Sequence, residues 1–339
     1  CNIDNLDAAI DAGHKLLSAH QKLGAVVATG IFREFGISKD IGDLLIAKHN
    51  ARIIVLCRNA ERAKNLKPMG DVGQITLVSG DACDDETLEG VIAPADAVVN
   101  LIGILAETGS QKFSALQAEL PGRIGALAAK HNVVTVVHVS AIGASASSPS
   151  IYSRTKAAGE AALLSAFPNA VIVRPSIVFG AGDNFFNRFA RIAMVAPALP
   201  LPGGGGMLMQ PVYVGDVAAA IAAGLGLTKT KRKMAGDVFE LAGPDVFSFR
   251  QLMELTLSQV KRRRLLMPVP LWAMRCGALF TGLLPNPPLT VDQVRLLASD
   301  NVADSSRPGL LEIGITPTPV DTILPQYLAR FRPGGRFAR

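Results

Sequence analysis

Three side chains of this sequence stand in an order that suits acid–base chemistry: Ser140, then Tyr152, then Lys156. A Y-x-x-x-K spacing puts phenol and ammonium on one face of a helix, a turn apart. A tyrosine ordinarily titrates near 10, so exchanging its proton at neutral pH takes roughly 4 kcal/mol of help. A neighbouring lysine and a charged ligand give help of that kind, and a serine hydroxyl orients a carbonyl or an alcohol. Y-x-x-x-K alone recurs often by chance, so its weight comes from the elements around it.

Those elements alternate. β-rich apolar runs at 24–28, 52–57, 74–79, 96–102, 133–139 and 170–174 are separated by helix-length segments. Such alternation predicts an α/β fold, a Rossmann-type doubly wound parallel sheet with helices on both faces. Ser140 then ends the fifth strand, and Tyr152 and Lys156 ride on the helix that follows. After Arg174-Pro175 the rhythm changes to Gly/Pro-rich connections, including Pro202-Gly203-Gly204-Gly205-Gly206, with helices near 248–260, 271–284, 290–299 and 319–331. The expected organisation is an N-terminal helical extension over 1–22, an NAD(P)-binding domain over 23–175, a smaller C-terminal lobe over 176–331 and a basic tail over 332–339. Segments of the lobe are expected to return to the sheet at 211–214.

The first strand runs into Thr29-Gly30-Ile31-Phe32-Arg33-Glu34-Phe35-Gly36. In a dinucleotide loop the first glycine allows the tight turn, the second lets backbone approach the pyrophosphate, and the third lets helix and strand pack closely. Gly30 and Gly36 fill two of these roles, and Arg33 stands at the middle position. The dinucleotide is expected to bind with Arg33 beside the diphosphate, through charge-assisted hydrogen bonds. The second strand ends in Cys57-Arg58 with no acid, which favours a 2′-phosphorylated ribose and therefore NADPH over NADH. Asp81 after the third strand marks the adenine rim. Asn100, Leu101 and Gly103 after the fourth pass the cofactor, and Ser140, Tyr152, Lys156 and Pro175 complete the crevice.

The chain has 339 residues, 49% hydrophobic and 18% charged, which excludes a disordered chain and calls for a large core. Its apolar stretches, 192–201 and 271–284 among them, are interrupted and fall short of the ~20 residues of a spanning helix. Cys1, Cys57, Cys83 and Cys276 show no paired spacing, and the five histidines form no ligand cluster with them, so neither disulfide nor metal site is expected. The net charge of +6 is concentrated in Lys229, Lys231, Arg232, Lys233 and in Lys261, Arg262, Arg263, Arg264. No nucleic-acid partner is expected. A helix at 271–284 beside the second basic run suits an anionic bilayer surface, a partner subunit or an inward-packed position.

Longer segments carry a family resemblance. Val99-Asn100-Leu101-Ile102-Gly103, His138-Val139-Ser140-Ala141, Tyr152 through Glu160, Val173 through Gly180, Asp183-Asn184-Phe185-Phe186-Asn187-Arg188-Phe189, Gln210-Pro211-Val212-Tyr213-Val214 and Pro308 through Ile315 resemble the atypical short-chain dehydrogenases. Within them, the similarity is to the dehydrogenase-like alpha-subcomplex subunit nine branch of mitochondrial respiratory complex I and its alphaproteobacterial relatives. The resemblance implies a non-catalytic accessory subunit among other complex I subunits. It implies a place on the matrix side of the mitochondrial inner membrane near the quinone-binding region, with NADPH held as a structural ligand. The intact Ser140, Tyr152 and Lys156 keep a second expectation open: an active NADPH-dependent short-chain reductase or nucleotide-sugar epimerase.

Overall fold

A computed structural model describes residues 25–29, 51–281 and 289–335. The N-terminal extension and the loop with Gly30, Arg33 and Gly36 therefore lie outside the described residues, as does the tail beyond 335.

Seven parallel strands form the main sheet: β1 (Ala25–Thr29), β2 (Arg52–Cys57), β3 (Ile75–Ser79), β4 (Ala97–Asn100), β5 (Thr135–Val139), β6 (Val171–Pro175) and, from the second half of the chain, Val238–Leu241. The spatial order is β3, β2, β1, β4, β5, β6 and then Val238–Leu241. The reversal between β1 and β4 is the switch point of a Rossmann sheet, and ligands of such sheets bind outside the carboxyl ends there. Thr29 ends β1 opposite Leu56 on one side and Asn100 on the other.

The central strands read as continuous apolar runs because both of their faces are covered. One face packs Val99, Val137 and Val173 against the helix Val214–Gly224, and the other packs Val98 and Val136 among Leu88, Leu120, Ile124 and Leu163. On that second face lie α1 (Asp85–Ile92), α2 (Leu120–Lys130) and α3 (Ile151–Ala166). A π-helical turn, Ser114–Glu119, leads into α2. Helix α3 approaches the π-helical turn closely because Gly159 has no side chain: a Cβ there would fall 1.9 Å from the Gln117 carbonyl oxygen.

The fifth strand is shorter than its apolar run. Asn132 takes φ 56°, and the Val133 amide turns back to the Ala128 carbonyl at 2.9 Å, so Val133 closes α2, while the Val134 amide already reaches the Asp96 carbonyl at 2.8 Å as the strand begins.

Beyond Pro175 the chain builds β7 (Val178–Phe179), α4 (Phe186–Val195), β8 (Ala198–Pro202), β9 (Leu208–Met209), β10 (Val212–Tyr213), α5 (Val214–Gly224), β11 (Val238–Leu241), β12 (Phe247–Ser248), α6 (Phe249–Gln259), β13 (Leu265–Val269), α7 (Leu271–Thr281), α8 (Val291–Leu296), α9 (Leu310–Ile313) and α10 (Val320–Leu328). The expected return at 211–214 needs correction: β10 pairs with β7 in a separate two-stranded ladder. The chain rejoins the main sheet through β11, beside β6. β11 escapes a pattern reading because Glu240 interrupts its apolar run, yet that carboxylate is buried against Arg174. The lobe has its own core, in which Phe179, Phe186, Phe249, Leu252 and Leu324 are fully buried or nearly so.

Candidate functional site

The carboxyl ends of β2, β3 and β4 open onto a shallow cleft lined by Cys57, Arg58, Gly80, Asp81, Ile102 and Gln111 among others. Arg58 is exposed at its mouth, where the Gln111 amide oxygen accepts from the guanidinium at 2.7 and 2.9 Å. Asp81 is exposed too, and one of its carboxylate oxygens accepts from the Cys83 amide at 2.9 Å. The turn is tight because Gly80 has no side chain: a Cβ there would lie 2.4 Å from Thr87 Cγ2.

The second group of expected residues is buried beside it. Asn100, 1% exposed, accepts from the Ile102 amide at 3.0 Å and so fixes the turn that carries Leu101 and Gly103. Its Nδ2 donates to His138 Nδ1 at 3.0 Å, which leaves the neutral imidazole with its proton on Nε2. Burial, and then the charge of Lys156, hold His138 well below the ordinary histidine range. The Lys156 ammonium donates to the Val139 carbonyl at 3.1 Å and lies against Gly103, where an added Cβ would be 3.2 Å from Nζ. Burial pushes Lys156 down to about 8, opposed by Glu160. Ser140 is anchored by its amide on the Val173 carbonyl, and the Pro175 carbonyl receives the Ile142 amide. Among the described residues, Ser140 Oγ and His138 Nε2 are buried polar atoms without a hydrogen-bond partner.

The helix that presents Tyr152 and Lys156 is held from both lobes. Ser150 is its N-cap, and Asp292 of α8 accepts from Ser150 Oγ at 2.7 Å, Ile151 N at 2.9 Å and Tyr152 N at 3.0 Å. The Tyr152 ring is 9% exposed and meets Phe113 edge-on at 6.2 Å between centroids. Gln117 bridges the π-helical turn to the site, donating to the Ile104 carbonyl at 2.7 Å and accepting from Thr155 Oγ1 at 2.9 Å.

The described residues fit a dinucleotide. A basic group stands at the mouth beside β2, an acid at the β3 rim, and an orphaned hydroxyl with a dehydrated ammonium at the β5 end. Thr29, at the β1 end, is placed by backbone pairing alone, and Gly30, Arg33 and Gly36 fall outside the described residues. Sequence reasoning passed over His138, Gln117 and Asp292. The only signal for the last was a helix-start pattern, Thr290-x-x-Gln293, now a formed capping box.

Residues 43–242 match the NAD dependent epimerase/dehydratase family. The alpha subcomplex subunit 9 of mitochondrial NADH dehydrogenase [ubiquinone] from Arabidopsis thaliana is 32% identical over 99% of this chain and 86% of its own length. That from Mus musculus is 31% identical over 94% of this chain and 85% of its own. The chain belongs to the alpha-subcomplex subunit 9 family. Its fold is that of NAD-binding epimerases: the UDP-glucuronic acid 4-epimerase of Bacillus cereus, solved with UDP-glucuronic acid and NAD, superimposes with a TM-score of 0.67 at 15% identity, covering 89% of this chain and 98% of that one. In this subunit 9 relative, then, Ser140 follows β5 and Tyr152 and Lys156 share α3, all three buried.

Proposed function

We propose that the chain is an accessory subunit of a mitochondrial NADH:ubiquinone oxidoreductase, held at the matrix side of the inner membrane. In this reading it keeps a nicotinamide dinucleotide, NADPH, as a structural ligand and supports the assembly or stability of its partner subunits near the quinone-binding region. The observation that carries the reading is near-full-length similarity to subunits of that complex, which leaves little of the chain for a separate task.

The site's geometry supports it. Asp292 pins the start of α3, Phe113 covers the Tyr152 ring, and Lys156 is spent on the Val139 carbonyl, so the acid–base face is built into the core. Bound NADPH would supply hydride chemistry in a turning-over enzyme. Here Arg58 would take the 2′-phosphate, Asp81 the adenosine rim, and Ser140 and Lys156 the buried end. Fractionation of gently solubilised source membranes tests the reading. Comigration of the chain with a very large oxidoreductase, with NADPH released on denaturation, is expected, and a small soluble peak would overturn it.

One observation favours a second reading, an NADPH-dependent reductase or nucleotide-sugar epimerase: Lys156, held near 8, stands on the same helix as Tyr152. Turnover of carbonyl or nucleotide-sugar substrates that disappears in Tyr152→Phe would establish it.

A further inference from the structure

Between Glu254 and Asp292 the chain has no acidic residue, yet it has Lys261, Arg262, Arg263, Arg264 and Arg275. The fold divides these cations by task. Arg262 and Arg264 turn inward and donate to the carbonyls of Phe331 at 3.3 Å and Ala193 at 2.8 Å, near the C-terminal ends of their helical segments. Lys261, Arg263 and Arg275 are exposed, and among the described residues none of them makes an ion pair.

The apolar side chains of the same stretch face outward as well. A surface helix ordinarily turns its apolar stripe to the core. Helix α7 buries Ala278 alone and leaves Trp272 70%, Leu279 65% and Phe280 78% exposed. Leu265 and Met267 of β13 are exposed beside it. The Leu265 amide bonds to the Pro197 carbonyl, which brings the tip of α4, with Val195 86% exposed, to the same end of the lobe. An apolar band of this kind on a folded chain marks an interaction surface.

We propose that this end of the lobe docks on the anionic surface of a lipid bilayer. Trp272, Leu279 and Phe280 enter the boundary between headgroups and acyl chains, and Lys261, Arg263 and Arg275 meet lipid phosphates. The proposal rests on the reading of the chain as a subunit of a membrane enzyme. Charge complementarity selects the occupant: a single sign of charge interleaved with exposed aromatic and aliphatic side chains suits an anionic interface. At 11 residues α7 is about 16 Å long, which suits a helix lying in the interface plane.

Trp272 is the chain's one tryptophan, so intrinsic fluorescence reads this helix directly. The purified full chain is mixed with vesicles of phosphatidylcholine alone or of phosphatidylcholine with phosphatidylglycerol. A blue shift and co-sedimentation are expected with the anionic vesicles, with quenching by lipids brominated in the acyl chain. Arg263→Gln and Arg275→Gln each weaken binding about fivefold, the factor for one cation near such a surface. Leu279→Ser with Phe280→Ser abolishes it while the thermal melt is unchanged, since both side chains are exposed. An equal shift on neutral vesicles overturns the proposal, as does no shift on either, which assigns the patch to a protein partner. Vesicle binding without comigration would remove the subunit reading and leave this inference standing, and comigration without vesicle binding would do the reverse.

Discussion

Asp292 ties the C-terminal lobe to the helix that carries Tyr152 and Lys156, and its replacement by asparagine tests that tie with little change of shape. The side chain is 12% exposed and accepts from Ser150 Oγ, Ile151 N and Tyr152 N. Asparagine keeps one acceptor oxygen, loses the charge, and turns an NH2 group toward amides that are themselves donors. Loss of a helix N-terminal acceptor costs about 1 kcal/mol, and a buried donor left without an acceptor adds about 1–2 kcal/mol. Asp292→Asn should therefore lose about 2–3 kcal/mol at neutral pH, or about 3–4 °C in Tm for a chain of this size. Burial pushes the carboxyl up, but the Tyr152, Ser150 and Ile151 donors outweigh it and hold the group below the usual range. A carboxyl depressed on folding contributes stability above its unfolded value, roughly 4, and that contribution is lost as pH falls through the folded value. The gap between the two proteins should thus close in acid. Thermal melts at neutral and acid pH measure it, and hydrogen exchange at 151–156 should quicken in the variant. Equal melting at neutral pH, or a gap that widens in acid, would refute the capping argument.

Lys156 is depressed from 10.5 to about 8, so between those values the unfolded chain binds more protons and stability rises with pH. Urea unfolding of the unliganded chain should show that rise and lose it in Lys156→Met. Gly159→Ala drives a Cβ to 1.9 Å from the Gln117 carbonyl oxygen and should cost more than about 4 kcal/mol, read as loss of soluble protein or of the cooperative melt. Arg174→Met leaves Glu160, 7% exposed, without its cation and Glu240 with Arg307 alone at 3.6 Å, and should cost about 3–5 kcal/mol in urea titrations. Arg58→Ala should lower the preference for NADPH over NADH by about tenfold or more, the worth of a charge-assisted phosphate contact. Calorimetry with both dinucleotides checks this, and an unchanged ratio would remove Arg58 from the ribose site.

What the sequence made legible follows from how locally each feature is encoded. The six N-terminal strands, and the placing of Asp81, Asn100 and Ser140 at their carboxyl ends, follow from alternation, because each element writes its own apolar period. Tyr152 and Lys156 were legible for the same reason, since both sit on one helix. Asp292 was not, because its partners Ser150 to Tyr152 are distant in the chain and a carboxylate after a threonine reads as an ordinary helix start. Glu240 concealed β11 because a buried charge reads as surface until its partner Arg174 is placed. Arg262 and Arg264 look like solvated charge in sequence, while in the fold their guanidinium groups satisfy main-chain carbonyls.

Three polar side chains, Ser140, His138 and Lys156, are buried together at the carboxyl end of β5. Ser140 Oγ and His138 Nε2 lack partners among the described residues, and each such buried group costs about 1–3 kcal/mol. Lys156 is 3% exposed and holds its proton less tightly than in water. A ligand that offers acceptors to these donors relieves those costs, and by linkage a ligand at about a thousandfold over its Kd stabilises the folded state by about 4 kcal/mol. That stabilisation does not stop at the sheet. Helix α3 lines the crevice and is capped by Asp292, α8 also reaches the loop after β4 through Gln293 and the Leu105 carbonyl, and α7 packs on α8. These contacts join the site to the end of the lobe that carries Trp272. On the accessory-subunit reading proposed above, Ser140 and Lys156 would fasten the ligand to the sheet, and loss of that ligand should lower the melting temperature of the chain.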